Sequence, residues 1–442
     1  MSNMISAQED IQIDVKNSFK AFEKSLNGTS TSYIHQIRRK AFEFFQKNGL
    51  PDHKNEEYKY FNITRLLNKN FSFENTYSSN QVTKEEFDHI AIGGESISLV
   101  FINGQFNQDF SDLSLLNGKI VIQSFTEAYK DHKEDIDHHF SKYADFTKDA
   151  FIALNTSFSK DGIYIKVDDG QIIEKPIYLY FITDTRAGKN IVYPRNLVTV
   201  GSNSQVKLVE FHHHFGDDEI FTNMVSEYAI SKDSIVDYYK VQDDNPLNYQ
   251  VNTTVFHQED RSVINTYAFS LGGKMVRNNL NISLDAKHAE SNMYGLYALN
   301  KSSHVDNHTT VDHRQPDSFS NELYKGILND QSTGVFNGKI YVQQIAQKTN
   351  AFQSNKNILL SDDATINTKP QLEIWADDVK CSHGCTTGQM DDEALFYLRS
   401  RGLDLESARA FLLFAFAEDV MEKVKIPELR EYLENSISKR LY

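Results

Sequence analysis

The stretch Gly201–His212, GSNSQVKLVEFH, sets a polar four-residue corner in front of a run rich in Val, Leu and Phe. The same texture begins after Asp161-Gly162 and lasts to about Trp375. Ile163–Val167, Ile177–Ile182, Leu197–Val200, Val263–Phe269 and Asn292–Leu299 are all rich in Val, Ile, Tyr, Phe and Thr. Between such runs lie corners like SKDS (231–234), LGGK (271–274), LNKSS (299–303) and SDDA (361–364). β-Branched and aromatic residues fit a pleated surface, and Ser, Asn, Asp and Gly end it, so these runs read as strands joined by turns. Strand centres recur roughly every dozen residues, near the spacing of an all-β array. A sandwich or barrel has such even spacing. However, few of the corners are two-residue hairpin turns, and no helical stretch interrupts the array. A stack of coils, a parallel β-helix, accounts for both features. The periodicity alone leaves the two architectures open.

Outside this array the chain is helical. Ile34, Ile37, Ala41, Phe42 and Phe45 recur at three-to-four spacing, and Gly49 then Pro51 stop that helix. Asn55–Phe61, NEEYKYF, alternates polar and aromatic residues. SLVFINGQF (98–106) reads as two strands around an Asn-Gly turn, followed by a helical interlude near 125–150 that contains DHKEDIDHHF. After Gln389, Asp391 or Asp392 can cap a helix whose apolar face holds Leu395, Phe396 and Leu398, and Gly402 closes it. Asp404 can cap the next helix, which runs through AFLLFAFA (410–417), and Pro427 starts a last one. Eight consecutive apolar residues cover every side of a helix. Such a helix needs either a compact local core, as a cap on the β array, or the surface of another chain. The expected organisation is a helical region at 1–95, a β core at 96–388 and a second helical region at 389–442.

Composition narrows the function classes. Asp and Glu outnumber Lys and Arg 61 to 46, a net charge of −15, which repels phosphate backbones and anionic lipid. Nucleic acid and membrane are therefore not expected partners. No apolar run approaches the length of a bilayer span, and the N-terminal residues lack the apolar core of a secretory signal. With 2 cysteines, both inside 381–385, a disulfide framework is ruled out and a reducing cytoplasm is the expected location. A P-loop is missing, because Gly188-Lys189 runs into Asn190 and Gly273-Lys274 into Met275. The chain also lacks G-x-S-x-G and G-x-G-x-x-G.

The residues with most chemical promise lie in Trp375–Cys385, WADDVKCSHGC. On a strand, alternate side chains share a face, so Cys381, His383 and Cys385 project together. Thiolate and imidazole are the ligands that iron, zinc and iron–sulfur clusters accept. The alternative is two small buried cysteines and a satisfied histidine. Two other groups, Glu210/His212/His214, which could imitate a two-His, one-carboxylate site, and His304/His308/His313, have metal binding as the alternative and read by default as polar residues on a solvated flank. Cys381 and His383 could also form a nucleophile pair, but no orienting third group accompanies them.

At this point the sequence resembles a known family. KPQLEIWADDVKCSHGCTTGQMDDEALFYLRSRGL (369–403) is similar to the C-terminal signature of the SufB/SufD family, on its SufD side. YKGILNDQSTGVFNGKIYVQQIAQKTNAFQSNKNILLSDDA (324–364), FIALNTSFSKDGIYIKV (151–167), YPRNLVTVG (193–201) and NEEYKYF (55–61) resemble its other blocks, in the right order. The resemblance implies a mainly β chain, a right-handed parallel β-helix flanked by α-helical N-terminal and C-terminal regions. It implies a non-enzymatic scaffold subunit of iron–sulfur cluster assembly that pairs with SufB through its β-helix. Its C-terminal helices would hold the ATPase SufC, which fits the missing P-loop. No cofactor would be bound permanently, and iron or a cluster would be held transiently with SufB. Cys381 and His383 would lie near the SufB interface, the histidine serving iron acquisition or cluster formation.

SufB's additional cysteines are missing from SDDATINTKP (361–370), in keeping with the SufD side. Cys385 departs from the family, which commonly has alanine there. It is either a passive substitution or a third ligand. Tyr58 stands where the family often has Trp. Self-pairing of β-helix flanks into a homodimer is also expected to be possible in isolation. Two rival readings remain: a carbohydrate-active β-helix enzyme with a groove at Asp306–His313, and a self-sufficient metal binder using Cys381, His383 and Cys385.

Overall fold

The computed structural model describes residues 2–26, 32–52, 54–71, 73, 81–116 and 120–441. Helices α1 (Ser2–Ser25), α2 (Tyr33–Asn48), α3 (Ile63–Asn70) and α4 (Lys84–Ile90) come first. α2 forms where the periodicity places it and buries Ile34, Ile37, Ala41 and Phe45. Ser32 accepts from the His35 N–H at its start, and Gly49, at φ 67°, ends it. Next come β1 (Ile97–Ile102), β2 (Gln105–Asp112) and β3 (Ile120–Ser124), then α5 (Phe125–Asp131), α6 (Lys133–His139) and α7 (Ala150–Phe158). Asn103 and Gly104, both at positive φ, make the tight turn between β1 and β2.

The long strand series follows as β4 (Ile163–Val167), β5 (Ile177–Asp184), β6 (Asn190–Val192), β7 (Arg195–Val200), β8 (Gln205–Phe215), β9 (Ile220–Ile230), β10 (Ile235–Gln242) and β11 (Asn248–Gln258). It continues with β12 (Val263–Ser270), β13 (Met275–Leu284), β14 (Glu290–Leu299), β15 (His304–His313), β16 (Phe319–Leu328), β17 (Thr333–Val342), β18 (Asn350–Leu359), β19 (Thr365–Ile374) and β20 (Lys380–Gly388). Helices α8 (Asp392–Ser400), α9 (Leu405–Met421) and α10 (Pro427–Leu441) complete the chain.

Topology decides between sandwich and coil stack. Successive strands of the series alternate between two sheets, ordered β2-β1-β5-β8-β10-β12-β14-β16-β18-β20 and β19-β17-β15-β13-β11-β9-β7-β4-β3. Strand pairs within the series are parallel, and the antiparallel pairs are β1–β2 and β3–β4 at the N-terminal end. Val263 lies beside Glu290, Glu290 beside Phe319, Phe319 beside Asn350 and Asn350 beside Lys380, so each coil takes 27 to 31 residues. This is a parallel β-solenoid of about eight turns.

The corners explain how the chain turns with few glycines. Asn203, Asp233, Arg261, His288, Asp317 and Lys348 each adopt positive φ, between 54° and 60°, one per coil at the same corner. Short polar side chains tolerate this left-handed conformation best, and the backbone bonds between stacked corners hold it in place. The Asn203 N–H donates to the Lys232 carbonyl, Asp233 to Asp260, and Arg261 to Lys287.

Three packed zones result. Inward-facing residues such as Leu208, Tyr228, Tyr238, Phe256, Met293 and Phe336 fill the solenoid interior. The N-terminal helices cover the outer face of the second sheet, where Phe19, Phe22, Phe45 and Phe158 meet Tyr193, Phe221 and Tyr249. The C-terminal helices cover the outer face of the first, with Leu413, Met421, Leu429 and Leu433 against Phe211, Tyr239 and Phe269. Among the described residues, no helix is long and apolar enough to cross a membrane.

Candidate functional site at the open end of the solenoid

β20 is the last strand of its sheet, so one of its edges is unpaired. β19 ends the other sheet in the same way, but Pro370 removes a donor from it and interrupts it as a template for pairing. β20, KCSHGCTTG, carries no proline. It therefore presents the intact free edge, the kind of surface that pairs with another strand.

Register places the three sequence-selected side chains. Cys381, His383 and Cys385 stack directly on Ala351, Gln353 and Asn355 of β18. Those three are buried and face the interior, so the soft ligands form the topmost inward row. Cys381 is half-buried and packs with Ile340, Val342 and Ala351. That apolar wall pushes its thiol pKa up by desolvation, so it stays protonated until a cation draws the proton off. His383 and Cys385 are exposed at the mouth.

The row is not a closed metal site. Same-face neighbours on a strand are about 6.7 Å apart, and Cys381 and Cys385 about 13 Å. A single ion, with ligand bonds of about 2.0–2.3 Å, can draw on two adjacent members but not on all three. Accordingly, among the described residues no group of three or more His, Cys, Asp or Glu side chains is placed to hold one ion. Remaining ligands would have to come from a strand laid alongside.

Of the two groups assigned to a solvated flank, all members are buried except His304, which is partly buried. Glu210, His212 and His214 are 0–4% exposed and face the interior. His212 Nε2 and Glu210 Oε1 are 2.7 Å apart, the Tyr238 hydroxyl donates to Glu210 Oε2 at 2.7 Å, and Lys240 Nζ is 3.0 Å from Oε1. Burial opposes ionisation there, yet Lys240 and His212 hold the Glu210 carboxyl down at about 2. His304, His308 and His313 do not cluster. His313 faces the interior between Ser318 and Ser320 at 2.7 and 2.8 Å, and burial pushes its pKa down to about 4.

His308 lies on the opposite, helix-covered face, 2.9 Å from Asp306 and beside Glu57. Arg277 bonds Asp306 at 2.8 Å and the Glu57 carbonyl at 2.6 Å, and its guanidinium lies 4.1 Å from the Tyr58 ring centroid. His308 and Lys339 hold the Glu57 carboxyl at about 2. Asp306 is thus a buried, paired anion beneath NEEYKYF. Alternation of polar and apolar residues cannot by itself tell which face is wet. Here polar side chains face inward and many bond one another in ladders along the stack.

A second exposed feature lies beside the stack. Asp391 caps α8, accepting from the Glu393 and Ala394 N–H groups, and Asp404 caps α9. α9 buries Ala408, Leu413, Ala417, Val420 and Met421 on one side. Lys325 bolts it to β16 by donating to the Phe416 carbonyl at 2.7 Å and to Asp419 at 2.5 Å. The other side leaves Phe411 58% exposed, and α8 leaves Phe396 76% and Tyr397 57% exposed. The run of eight apolar residues therefore serves a local core on one flank and stays uncovered on the other.

Comparison with known proteins agrees with this architecture. The SufBD core domain of the SUF system for FeS cluster assembly matches residues 181–416, and the SufBD protein N-terminal region matches 9–179. An iron–sulfur cluster assembly SufBD family protein of Synechocystis sp. is 30% identical over 97% of this chain and 96% of its own. The iron–sulfur cluster assembly protein SufD of Escherichia coli is 29% identical over 89% of this chain and 90% of its own. The chloroplastic protein ABCI7 of Arabidopsis thaliana is 27% identical over 95% and 89%. With both family regions matched along a solenoid of the expected kind, the chain belongs to the SufB/SufD family of iron–sulfur cluster assembly proteins and is SufD-like within it.

Proposed function

We propose that this chain is the SufD-type subunit of a SUF assembly scaffold and that its open solenoid end is half of the site where iron and sulfide are gathered. The observation that carries the reading is the inward row Cys381–His383–Cys385 on a strand with a free edge. Two of the three residues can reach one ion, and the missing ligands arrive when a SufB-like strand pairs alongside β20. Iron or a nascent cluster is then cargo held between two subunits, not a resident group of either.

The uncovered flank of α8 and α9 is the proposed seat of a SufC-like ATPase. Since Lys325 ties α9 to β16, movement of a bound ATPase passes into the coil stack and from there to the joint. Opening the joint would expose the Cys381 thiol, which is otherwise shielded.

The test uses the chain co-produced with SufB-like and SufC-like partners. His383→Ala is expected to fold and assemble as the parent does while cluster formation in the complex is impaired. Full cluster yield from that variant would remove His383 from the mechanism, and failure of the three chains to co-purify would remove the scaffold reading itself.

A further inference from the structure

Directly beneath His383 the interior is built in an unusual way. Glu322 of β16, Gln353 of β18 and His383 of β20 are consecutive in-register neighbours, one per coil. Adjacent strands are about 4.8 Å apart, so each side chain lies within reach of the next. Gln353 is 4% exposed and its Nε2 donates to Glu322 Oε2 at 2.7 Å. Burial raises the Glu322 pKa to about 7, so above neutrality it is a carboxylate, which accepts but does not donate, and this bond then turns the amide Oε1 away from Glu322. Oε1 is buried and finds no hydrogen-bond partner among the described residues. A buried acceptor left empty is destabilising, and the next residue along the ladder is His383.

Two neighbours sharpen the contrast. Ala351, under Cys381, has no side-chain acceptor. Asn355, under Cys385, is fully used: its Nδ2 donates to the Tyr297 hydroxyl and the Tyr324 carbonyl, and its Oδ1 accepts from Asn357. Gln353 also occupies a cradle made for it. A Cβ on Gly338, across the interior on β17, would lie 2.1 Å from Gln353 Nε2 and 2.8 Å from its Cδ. The absent side chain at 338 is what admits the amide.

We infer that Gln353 is a positioning residue for His383: the ring, which does not bond Oε1 in the conformation described, turns to give it one N–H, and Glu322 fixes the amide in the orientation that receives it. The imidazole is thereby set in one tautomer, and its other nitrogen keeps a free lone pair for a soft cation at the mouth. The inference rests on the proposed role of His383 and adds the device that aims it. Partners of this kind typically change metal affinity about 10–100-fold.

The experiment reads the ring directly in the full chain, without cluster assembly. Histidine is labelled with 15N, His383 is assigned by its loss in His383→Gln, and spectra are taken at pH 8. In the parent, one ring nitrogen is expected to resonate as protonated and the other as unprotonated, well separated. In Gln353→Met the separation is expected to shrink toward the mixed value of a freely solvated imidazole. Gly338→Ala, which lodges a methyl where the amide lies, is expected to do the same without altering the ladder residues. Circular dichroism checks that each variant is folded. An unchanged separation in a folded variant of either kind overturns the inference. Unchanged nitrogens alongside a cluster defect in His383→Ala would refute the ladder alone. Shifted nitrogens alongside full cluster yield in His383→Ala would refute the scaffold role of His383 alone.

Discussion

Glu227 of β9 is 0% exposed and accepts four bonds: Arg195 Nη2 at 2.5 Å and the backbone N–H groups of Ser141, Tyr143 and Ala144, each at 2.9 Å. Arg195, 1% exposed, also donates to Asn155 and Thr156 of α7. This ion pair pins the 141–144 segment and α7 to the second sheet. Glu227→Gln keeps the shape but removes the charge and turns one oxygen into an NH2, which cannot accept the two N–H groups that oxygen received. The guanidinium is then buried without a counterion, and breaking such a pair from one side costs about 3–5 kcal/mol. Bonds to a charged acceptor are worth about 1.5–3 kcal/mol each, and the two that the amide NH2 cannot accept give a sum of the same size. Removing the cation as well, in Arg195→Met with Glu227→Gln, eliminates the uncompensated charge. The double variant should therefore regain about 2 kcal/mol relative to the single one. Urea unfolding followed by far-ultraviolet circular dichroism measures both, by midpoint at matched slope. A double variant less stable than Glu227→Gln, or a single variant losing under about 1 kcal/mol, would refute the reasoning.

Two further outcomes are expected. His313 titrates at about 4 when folded, against 6.5 in the unfolded chain, because burial disfavours its charged form. The unfolded state therefore takes up more protons between these values, and stability falls as pH drops from 6.5 to 4, by about 3 kcal/mol in total. His313→Gln should flatten that limb in urea midpoints measured from pH 7 to 4. On the exposed flank of α8 and α9, the double variant Phe396→Asp, Phe411→Asp should leave the melting temperature within a few degrees, as both side chains are mostly solvated. It should nevertheless weaken capture of a SufC-like ATPase at least tenfold in titration calorimetry, and undiminished capture would place that contact elsewhere.

Much of the wall was legible in the sequence. β4 starts and ends at Ile163 and Val167, as the sequence indicates, and β8, β12 and β14 differ from their expected spans by a few residues. β-Branched density and polar corners mark strands whatever the sheet does next. What they cannot mark is the partner of each strand, since hairpin and coil share the same local periodicity. The corners held a clue in their chemistry: Asn203, Asp233 and Asp317 take left-handed backbone angles at which glycine would otherwise be expected. Facing was the harder problem. Glu210, His212 and Gln353 alternate with apolar neighbours as wet residues do, yet each points inward, and Glu210 and Gln353 bond side chains of the adjoining coil. Partners about thirty residues away in sequence, such as Gln353 for Glu322, leave no local trace. The inward row on β20 was readable from alternation alone, but its separation from any complete ligand set emerged only with the straightness of the strand.

The two ends of the stack are treated differently. At the start, β1–β2 and β3–β4 fold back antiparallel, β1 and β2 slip register between Ser98 and Val100, and β2 is rich in Gln, Asn and Asp. Bulges and charge are what make an edge refuse further strands. At the finish, β20 is smooth and bare. A rod with one blunted tip and one adhesive tip cannot polymerise: joining two adhesive tips consumes both, and no filament can grow from the product. Strand pairing at this tip would stop at two solenoids, whatever else binds the helical flank.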